Sequence, residues 1–424
     1  MGKRISDYIK GIKCSYEMRN IITVEHRSNN PKRDYLFCNK VQAKHIPANP
    51  MATITAFDAL ACKVINELKD HKVVVVGFAE TATAIGAYIS KNMKNCVYHM
   101  QTTRENCSNS IKLIEFQEEH SHATEQCLYG DIDSIPDFDY ILFVEDEIST
   151  GKTILNFIAE FEKIKANVKF GVASICNWQN ESNRKVYLDK GIDTFALITG
   201  ELYDANAKMD VTVRDIDSAY AGDSAIVTDE EIAKINTVNI GMAEFVEYIK
   251  NNHIKTDEKH KNHPEVTIYT GFDPFTLERA GRNPQSSDYY KSIDNIMDNV
   301  SINRGESVLV LGTEECMYIP LMVARNISMY GANVSVHATT RSCIDVLEDN
   351  TGDVYNEIVN RFKLHSVYDK DRVTYVYNLQ KYDRVYIITD GIMNNDFQRD
   401  IVNALVKCGN TLDNISFISY RKEV

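Results

Sequence analysis

Ile141-Leu142-Phe143-Val144-Glu145-Asp146-Glu147-Ile148-Ser149-Thr150-Gly151-Lys152-Thr153 is the stretch on which the fold turns. An apolar run ends in adjacent carboxylates, and a short loop of hydroxyls and glycine then opens a helical pattern at Ile154. A buried strand of a parallel sheet feeding a helix reads this way. The free N–H groups and positive dipole end of such a helix suit a phosphate dianion. Ser149, Thr150 and Thr153 can add hydroxyl donors, Lys152 lies among them, and Gly151 lets the backbone approach. Glu145 and Asp146, a ribose length away, can accept hydrogen bonds from sugar hydroxyls, so a ribose 5-phosphate fits between the two ends. A Walker A loop is excluded, because Asp146 stands where that loop needs a glycine.

Further apolar runs at Val73–Val76, Val168–Ala173, Val308–Leu311 and Arg384–Ile388 alternate with helical patterns, which predicts an α/β fold with ligands at the strands' carboxyl ends. An internal echo links the halves. Val73-Val74-Val75-Val76-Gly77, a helix and Thr102-Thr103-Arg104 are matched by Val308-Leu309-Val310-Leu311-Gly312, a helix and Thr339-Thr340-Arg341. Val144-Glu145-Asp146-Glu147-Ile148 is matched by Ile388-Thr389-Asp390-Gly391-Ile392, without the Ser-Thr-Gly that follows the first. A second, duplicated and degenerate α/β domain is therefore expected. Residues 1–200 are assigned to the first domain and 264–424 to the second. The polar, acidic stretch 201–263 between them reads as a connector with one helix from Asp229 to about Asn251.

A length of 424 residues fits two or three domains, and 44% apolar with 25% charged residues is the balance of a globular protein. The net charge of −13 works against attraction to nucleic acid or an anionic membrane, both of which need a basic face. The ten cysteines are scattered without a Cys-x-x-Cys pair, as expected of core residues in a reducing cytoplasm. Neither a signal-peptide core nor a long apolar run is found, so no membrane span is predicted.

Three other segments carry candidate chemistry. Gly77-Phe78-Ala79-Glu80-Thr81-Ala82-Thr83 follows a strand and precedes a helix, a place where backbone N–H groups can grip an anion, although Glu80 is awkward there. Lys40, Lys44 and His45 could hold an anionic group, or could be bases beside a turn. In Phe116-Gln117-Glu118-Glu119-His120-Ser121-His122-Ala123, an extended backbone would put His120 and His122 on one face for substrate contact or a metal.

The acid-pair strand and its loop resemble the PRPP-binding motif of type I phosphoribosyltransferases, from which Glu147 departs where a small or apolar residue is usual. The first 200 residues resemble the orotate phosphoribosyltransferase-like domain of tellurite-resistance-associated biosynthetic operons, through Lys44-His45-Ile46-Pro47, the 77–83 loop, Thr102-Thr103-Arg104 and Glu118–Ala123. The second half resembles the TRSP domain that accompanies it, through Gly271-Phe272-Asp273-Pro274-Phe275, Gly312-Thr313-Glu314-Glu315 and Thr340-Arg341-Ser342, with Cys343 where the family's name calls for Pro.

The resemblance implies a parallel-sheet type I phosphoribosyltransferase domain that transfers phosphoribosyl from PRPP to a small-molecule acceptor in making a nucleoside-like metabolite. Mg2+ would be held mainly by PRPP, with Glu145 and Asp146 as further ligands. Gly77, Phe78, Ala79, Glu80 and Thr81, with Arg104, Lys44 and His45, would receive the pyrophosphate side, and His120 or His122 the acceptor's proton. In the second domain, Glu314, Glu315, Arg341 and Asp390 fall where a duplicated core would place a ligand, or are salt bridges. The rival readings are a non-catalytic PRPP sensor or assembly subunit and the reverse cleavage of a ribosyl bond. A homo-oligomer and operon-encoded partners are candidate associations.

Overall fold

The structure is a computed structural model, which describes residues 5–14, 21–30, 33–107, 110–116, 126–130, 132–202, 209, 211–216, 219–224, 226–239, 279, 281–285, 288–348 and 357–420. The first half runs β1 (Ile9–Cys14), β2 (Ile22–His26), β3 (Tyr35–Asn39), α1 (Pro50–Leu68), β4 (Val73–Gly77), α2 (Thr83–Asn92) and β5 (Cys96–Thr103). It continues through β6 (Lys112–Phe116), β7 (Gln126–Tyr129), β8 (Tyr140–Ile148), α3 (Lys152–Ile164), β9 (Lys169–Asn177), α4 (Glu181–Asp189) and β10 (Asp193–Leu202). Eight of these strands form one sheet in the order β1-β10-β9-β8-β4-β5-β7-β6, parallel from β10 to β5.

The side-chain period of two sorts each central strand between two layers. Val73 and Val75 of β4, with Leu142 and Val144 of β8, pack beneath α1 and α2 through Phe57, Leu60, Val64, Ile85 and Ile89. Val74, Val76, Ile141 and Phe143 face the other way onto Ile154, Phe157, Ile158 and Phe161 of α3. Phe143 and Phe157 meet edge-on at 5.7 Å. Each fully buried ring of this kind contributes roughly 1.5–3 kcal/mol. Burial on both faces explains why β4 and β8 are continuous apolar runs rather than alternating ones.

The second half contains α5 (Asp229–Ile232), β11 (Asn236–Asn239), α6 (Asp288–Met297), β12 (Ser307–Gly312), α7 (Tyr318–Met329), β13 (Asn333–Ala338), β14 (Arg361–His365), β15 (Val373–Tyr377), β16 (Arg384–Thr389), α8 (Asn395–Lys407) and β17 (Ile415–Ser419). Its parallel sheet has the order β11-β17-β16-β12-β13. The runs β9-β8-β4-β5 and β17-β16-β12-β13 are the same arrangement, so the echo in sequence is also an echo in topology. Helices α2 and α7 follow equivalent strands, and both lie in one apolar core with α1, between the two sheets.

The connector differs from its expectation. The helix predicted from Asp229 is a single turn with a capping box between Thr228 and Glu231. Asn236–Asn239 then leaves it to pair with β17, while residues 240–251 lie outside the described residues. Ile232 and Ile235 are buried against Val385 and Phe417, and Gly222 N–H donates to Asp400. Polar composition suggested a linker, but a few apolar side chains and open backbone groups dock this segment along the second sheet. Residues 255–264 and Gly271–Phe275 lie outside the described residues.

Candidate functional site

The β4–β8 register aligns Gly77 with Val144, and Phe78 N–H donates to the Val144 carbonyl at 2.9 Å. The 77–83 loop therefore starts level with the acids of β8. All of β8 up to Val144 is buried, whereas Glu145, Asp146 and Glu147 are half-buried at its carboxyl end. The Thr81 hydroxyl donates to Asp146 Oδ1 at 2.9 Å, which ties the two loops into one site.

Helix α3 opens at Lys152 with Gly151 at its N-cap and no side chain capping it. Gly151 has φ +77°, the left-handed region that only glycine enters readily. A Cβ there would lie 2.7 Å from Gln179 Nε2 and 2.8 Å from Tyr187 Cζ. Tyr187 donates to the Gly151 carbonyl at 2.8 Å, and Gln179 Nε2 to the Thr150 carbonyl at 3.3 Å. Side chains from outside the loop therefore fix both carbonyls at the start of the helix. Thr150 and Lys152 are exposed, and Ser149 and Thr153 half-buried, around this turn.

The second loop is equally constrained. Ala79 N–H donates to Thr102 Oγ1 at 2.8 Å, Gln42 Nε2 donates to the Thr81 carbonyl at 2.7 Å, and the Ala79–Glu80 peptide is cis. Phe78 is buried against Phe143 and Phe157, so it anchors the loop rather than meeting a ligand.

Lys44 and Glu80 require a correction. Lys44 is fully buried, ion-paired to Glu80 and donating to the carbonyls of Glu314 and Thr339 at 2.5 and 2.9 Å. Its ammonium is committed within the protein instead of being presented to pyrophosphate. Burial alone would raise the Glu80 carboxyl, but Lys44 and Arg341 outweigh it and hold that pKa low. His45 is buried too, and burial together with Lys44 pushes its pKa down to about 4. The ring is neutral near neutral pH, which removes it as an anion clamp. Lys40 pairs with Glu357 at 2.9 Å.

The four second-domain candidates belong to a charge network that crosses between the halves. Arg341 reaches Glu314 at 2.8 Å, Glu105 at 3.1 Å, Glu315 at 3.2 Å and Glu80 at 3.8 Å. Arg372 bonds Glu105 and, at 3.1 Å, Glu314. Arg279, with no exposed surface, bonds Asp390 and, at 3.1 Å, Glu315. Arg279 and Arg341 hold the Glu315 carboxyl down to about 2 against the opposing effect of burial. Buried charges of this kind persist only when paired, and here each finds more than one partner.

Two contacts are reciprocal. Arg341 N–H lies 3.5 Å from Glu80 Oε2, and Arg104 N–H lies 3.1 Å from Glu315 Oε1. Glu80 and Glu315 occupy the same place after Gly77 and Gly312, as Arg104 and Arg341 do after their Thr pairs. Glu80 meets Arg341 while their echoes, Glu315 and Arg104, meet each other, as across a two-fold axis. Asp390, the counterpart of Asp146, is sealed by Arg279 and by Tyr368, whose hydroxyl donates to it. A Cβ on Gly391 would meet Tyr368 and Val367 at 2.7 Å, so this half's equivalent site is filled by its own side chains. Sequence reasoning missed Glu105, Arg279 and Arg372, and no motif marks them.

His120 and His122 lie outside the described residues. Among the described residues, no group of three or more His, Cys, Asp or Glu is placed to hold a metal, and no helix is long and apolar enough to cross a membrane.

The phosphoribosyl transferase family model matches residues 21–201, and the model of the TRSP domain found C-terminal to it matches residues 278–405. No curated protein matches the sequence. Among solved structures, the chain is similar to adenine phosphoribosyltransferase from Trypanosoma brucei, determined with AMP, pyrophosphate and ribose-5-phosphate, at 14% identity and a TM-score of 0.33 over 50% of this chain and 88% of that one. It is also similar to the adenine enzyme from Rhodothermus marinus, at 17% identity and a TM-score of 0.32 over 43% and 96%. The orotate phosphoribosyltransferase from Aeropyrum pernix gives 13% identity and a TM-score of 0.25 over 35% and 72%. The chain belongs to the family in which a phosphoribosyl transferase domain is followed by a TRSP domain.

Proposed function

We propose that the chain transfers the 5-phosphoribosyl group of PRPP to a base-like acceptor and releases pyrophosphate, with one PRPP site per chain at the carboxyl end of β8. The observation that carries this reading is the 2.9 Å bond between Thr81 and Asp146, which joins the acid strand to the second anion-binding loop. A 5-phosphate at the Gly151 turn, ribose hydroxyls on Glu145 and Asp146, and a diphosphate along 77–81 then follow one continuous path.

In this reading the chain positions its reactants and stabilises charge. The N–H groups of the first turn of α3 and the hydroxyls of Ser149, Thr150 and Thr153 fix the phosphate end. Glu145 and Asp146 orient the ribose and favour positive charge at the anomeric carbon as the bond to the leaving group lengthens. Arg104 lies at the end of β5, beside the 77–81 loop, where a guanidinium would meet the departing diphosphate. Two adjacent carboxylates, Glu145 and Asp146, would hold a magnesium ion that arrives with the diphosphate. When bound, that ion would neutralise the leaving group.

The second domain supports the site from behind, because Arg341 and the Lys44 contacts immobilise Glu80 within the diphosphate loop. The experiment is incubation of the full chain with PRPP, magnesium and a panel of heterocyclic acceptors, with pyrophosphate assayed and products weighed by mass spectrometry. Magnesium-dependent pyrophosphate release with a ribosylated product supports transfer. Tight PRPP binding without release across the panel supports a sensor instead.

A further inference from the structure

Glu147 is the one acid of β8 to which ribose-phosphate recognition gives no task. It points to the β2–β3 hairpin, where Arg33 Nη2 donates to Glu147 Oε1 at 3.2 Å. The Arg33 guanidinium lies 4.6 Å from the centroid of the Tyr35 ring and 4.9 Å from that of Phe37. Tyr8 packs on Tyr35 at 4.5 Å, and Trp178, one residue beyond β9, packs on Phe37 at 5.6 Å. A flat cation therefore lies against two mutually tilted aromatic rings with a carboxylate at its end, next to the acids assigned to the ribose.

The occupant is loosely held. A guanidinium normally forks onto a carboxylate with two bonds, yet Arg33 makes one, and its buried Nε has no hydrogen-bond partner among the described residues. Trp178 Nε1 and Tyr8 Oη, on the rings that pack against Phe37 and Tyr35, are likewise buried without a hydrogen-bond partner among the described residues. Buried donors of this kind call for a water or a ligand.

We propose that Glu147, Tyr35 and Phe37 form the acceptor subsite, that Arg33 fills it in the ligand-free chain, and that the acceptor is a planar, uncharged or cationic heteroaromatic bearing an N–H donor. This rests on the phosphoribosyl-transfer reading of the neighbouring acids. A flat amino-heterocycle reproduces what the guanidinium supplies: in-plane N–H groups for the carboxylate and a face for the aromatic rings. An acceptor carrying its own carboxylate would add a further negative charge beside Glu145, Asp146 and Glu147, and is disfavoured.

Trp178 is the chain's single tryptophan and reports on the slot directly. The full chain is titrated with adenine, 2-aminopyrimidine and 2-aminoimidazole, and separately with orotate, with tryptophan fluorescence as the readout. At least one amino-heterocycle should give a saturable change, orotate should give none, and Glu147→Gln should weaken the response at least about tenfold. Arg33→Ala, which empties the slot, should tighten binding by about threefold or more, and it carries the test alone should Glu147→Gln fail to fold. No response to any amino-heterocycle in either the wild type or Arg33→Ala overturns the proposal, as does orotate binding equally well. Calorimetric titration of the wild type with PRPP and magnesium reports separately on the ribose-phosphate site, so its failure would be distinguished from failure of the acceptor slot.

Discussion

Replacing Arg341 with Met removes the one guanidinium shared by Glu314, Glu105, Glu315 and Glu80, at 2.8, 3.1, 3.2 and 3.8 Å. Breaking a buried pair from one side typically costs about 3–5 kcal/mol. Here each acid keeps another cation: Arg372 for Glu105 and Glu314, Arg279 for Glu315 and Lys44 for Glu80. The lower end, about 3 kcal/mol, is therefore expected, which corresponds to a fall in Tm of about 6–12 °C for domains of this size. The pH dependence has a definite sign. Glu80 and Glu315 are held below their unfolded values, so their contribution is present above those values and is lost as pH falls toward the folded ones. The variant has less of this stabilisation to lose, and its deficit should narrow as pH falls from about 4.5 toward about 2. Thermal unfolding followed by circular dichroism across that range, with Arg341→Lys as the charge-retaining control, provides the assay. A Tm within about 2 °C of the wild type, or a deficit that does not change with pH, would refute the shared-cation reasoning.

Gly151→Ala puts a Cβ into a left-handed position crowded by Tyr187 and Gln179; it should cost about 1–2 kcal/mol in backbone conformation alone and weaken PRPP binding, as read by urea unfolding and calorimetry. Tyr187→Phe removes only the bond to the Gly151 carbonyl, so a smaller loss of about 1 kcal/mol is expected in the same unfolding assay. Thr81→Val breaks the link to Asp146 and should raise the KM for PRPP about fivefold, with Tm nearly unchanged. Lys44→Met strands Glu80 with Arg341 as its remaining ion-pair partner and should destabilise the chain by about 3 kcal/mol, more than a solvent-facing lysine could.

Much of this arrangement was legible in the residues. β8 and its loop could be read because both signals are local: a run buried on two faces, and a glycine at the turn. The repeated order of strands was legible for the same reason, as each half carries its own Gly-ended strand and Thr-Thr-Arg. The charge network was not legible. Arg279, Glu105 and Arg372 are far apart along the chain, and nothing in a residue's neighbours says that it will be buried against another half. Glu80 seemed misplaced in an anion-binding loop until Lys44 and Arg341 accounted for it. Lys44 and His45 read as anion-binding residues or as bases beside a turn, but the core between the two sheets encloses them. Helix periodicity over 229–251 failed where β11 begins, because an edge strand's pairing with β17 is decided by a partner far along the chain.

The most direct measurement is calorimetric titration of PRPP with magnesium into the wild type and Asp146→Asn. Asp146 lies between the sugar-binding end of β8 and Thr81 and has no ion-pair partner among the described residues, so the substitution should leave folding intact. Saturable binding to the wild type, weakened at least about tenfold in the variant, is what a ribose-phosphate site at residues 145–153 requires. Equal affinity in the two proteins would contradict it.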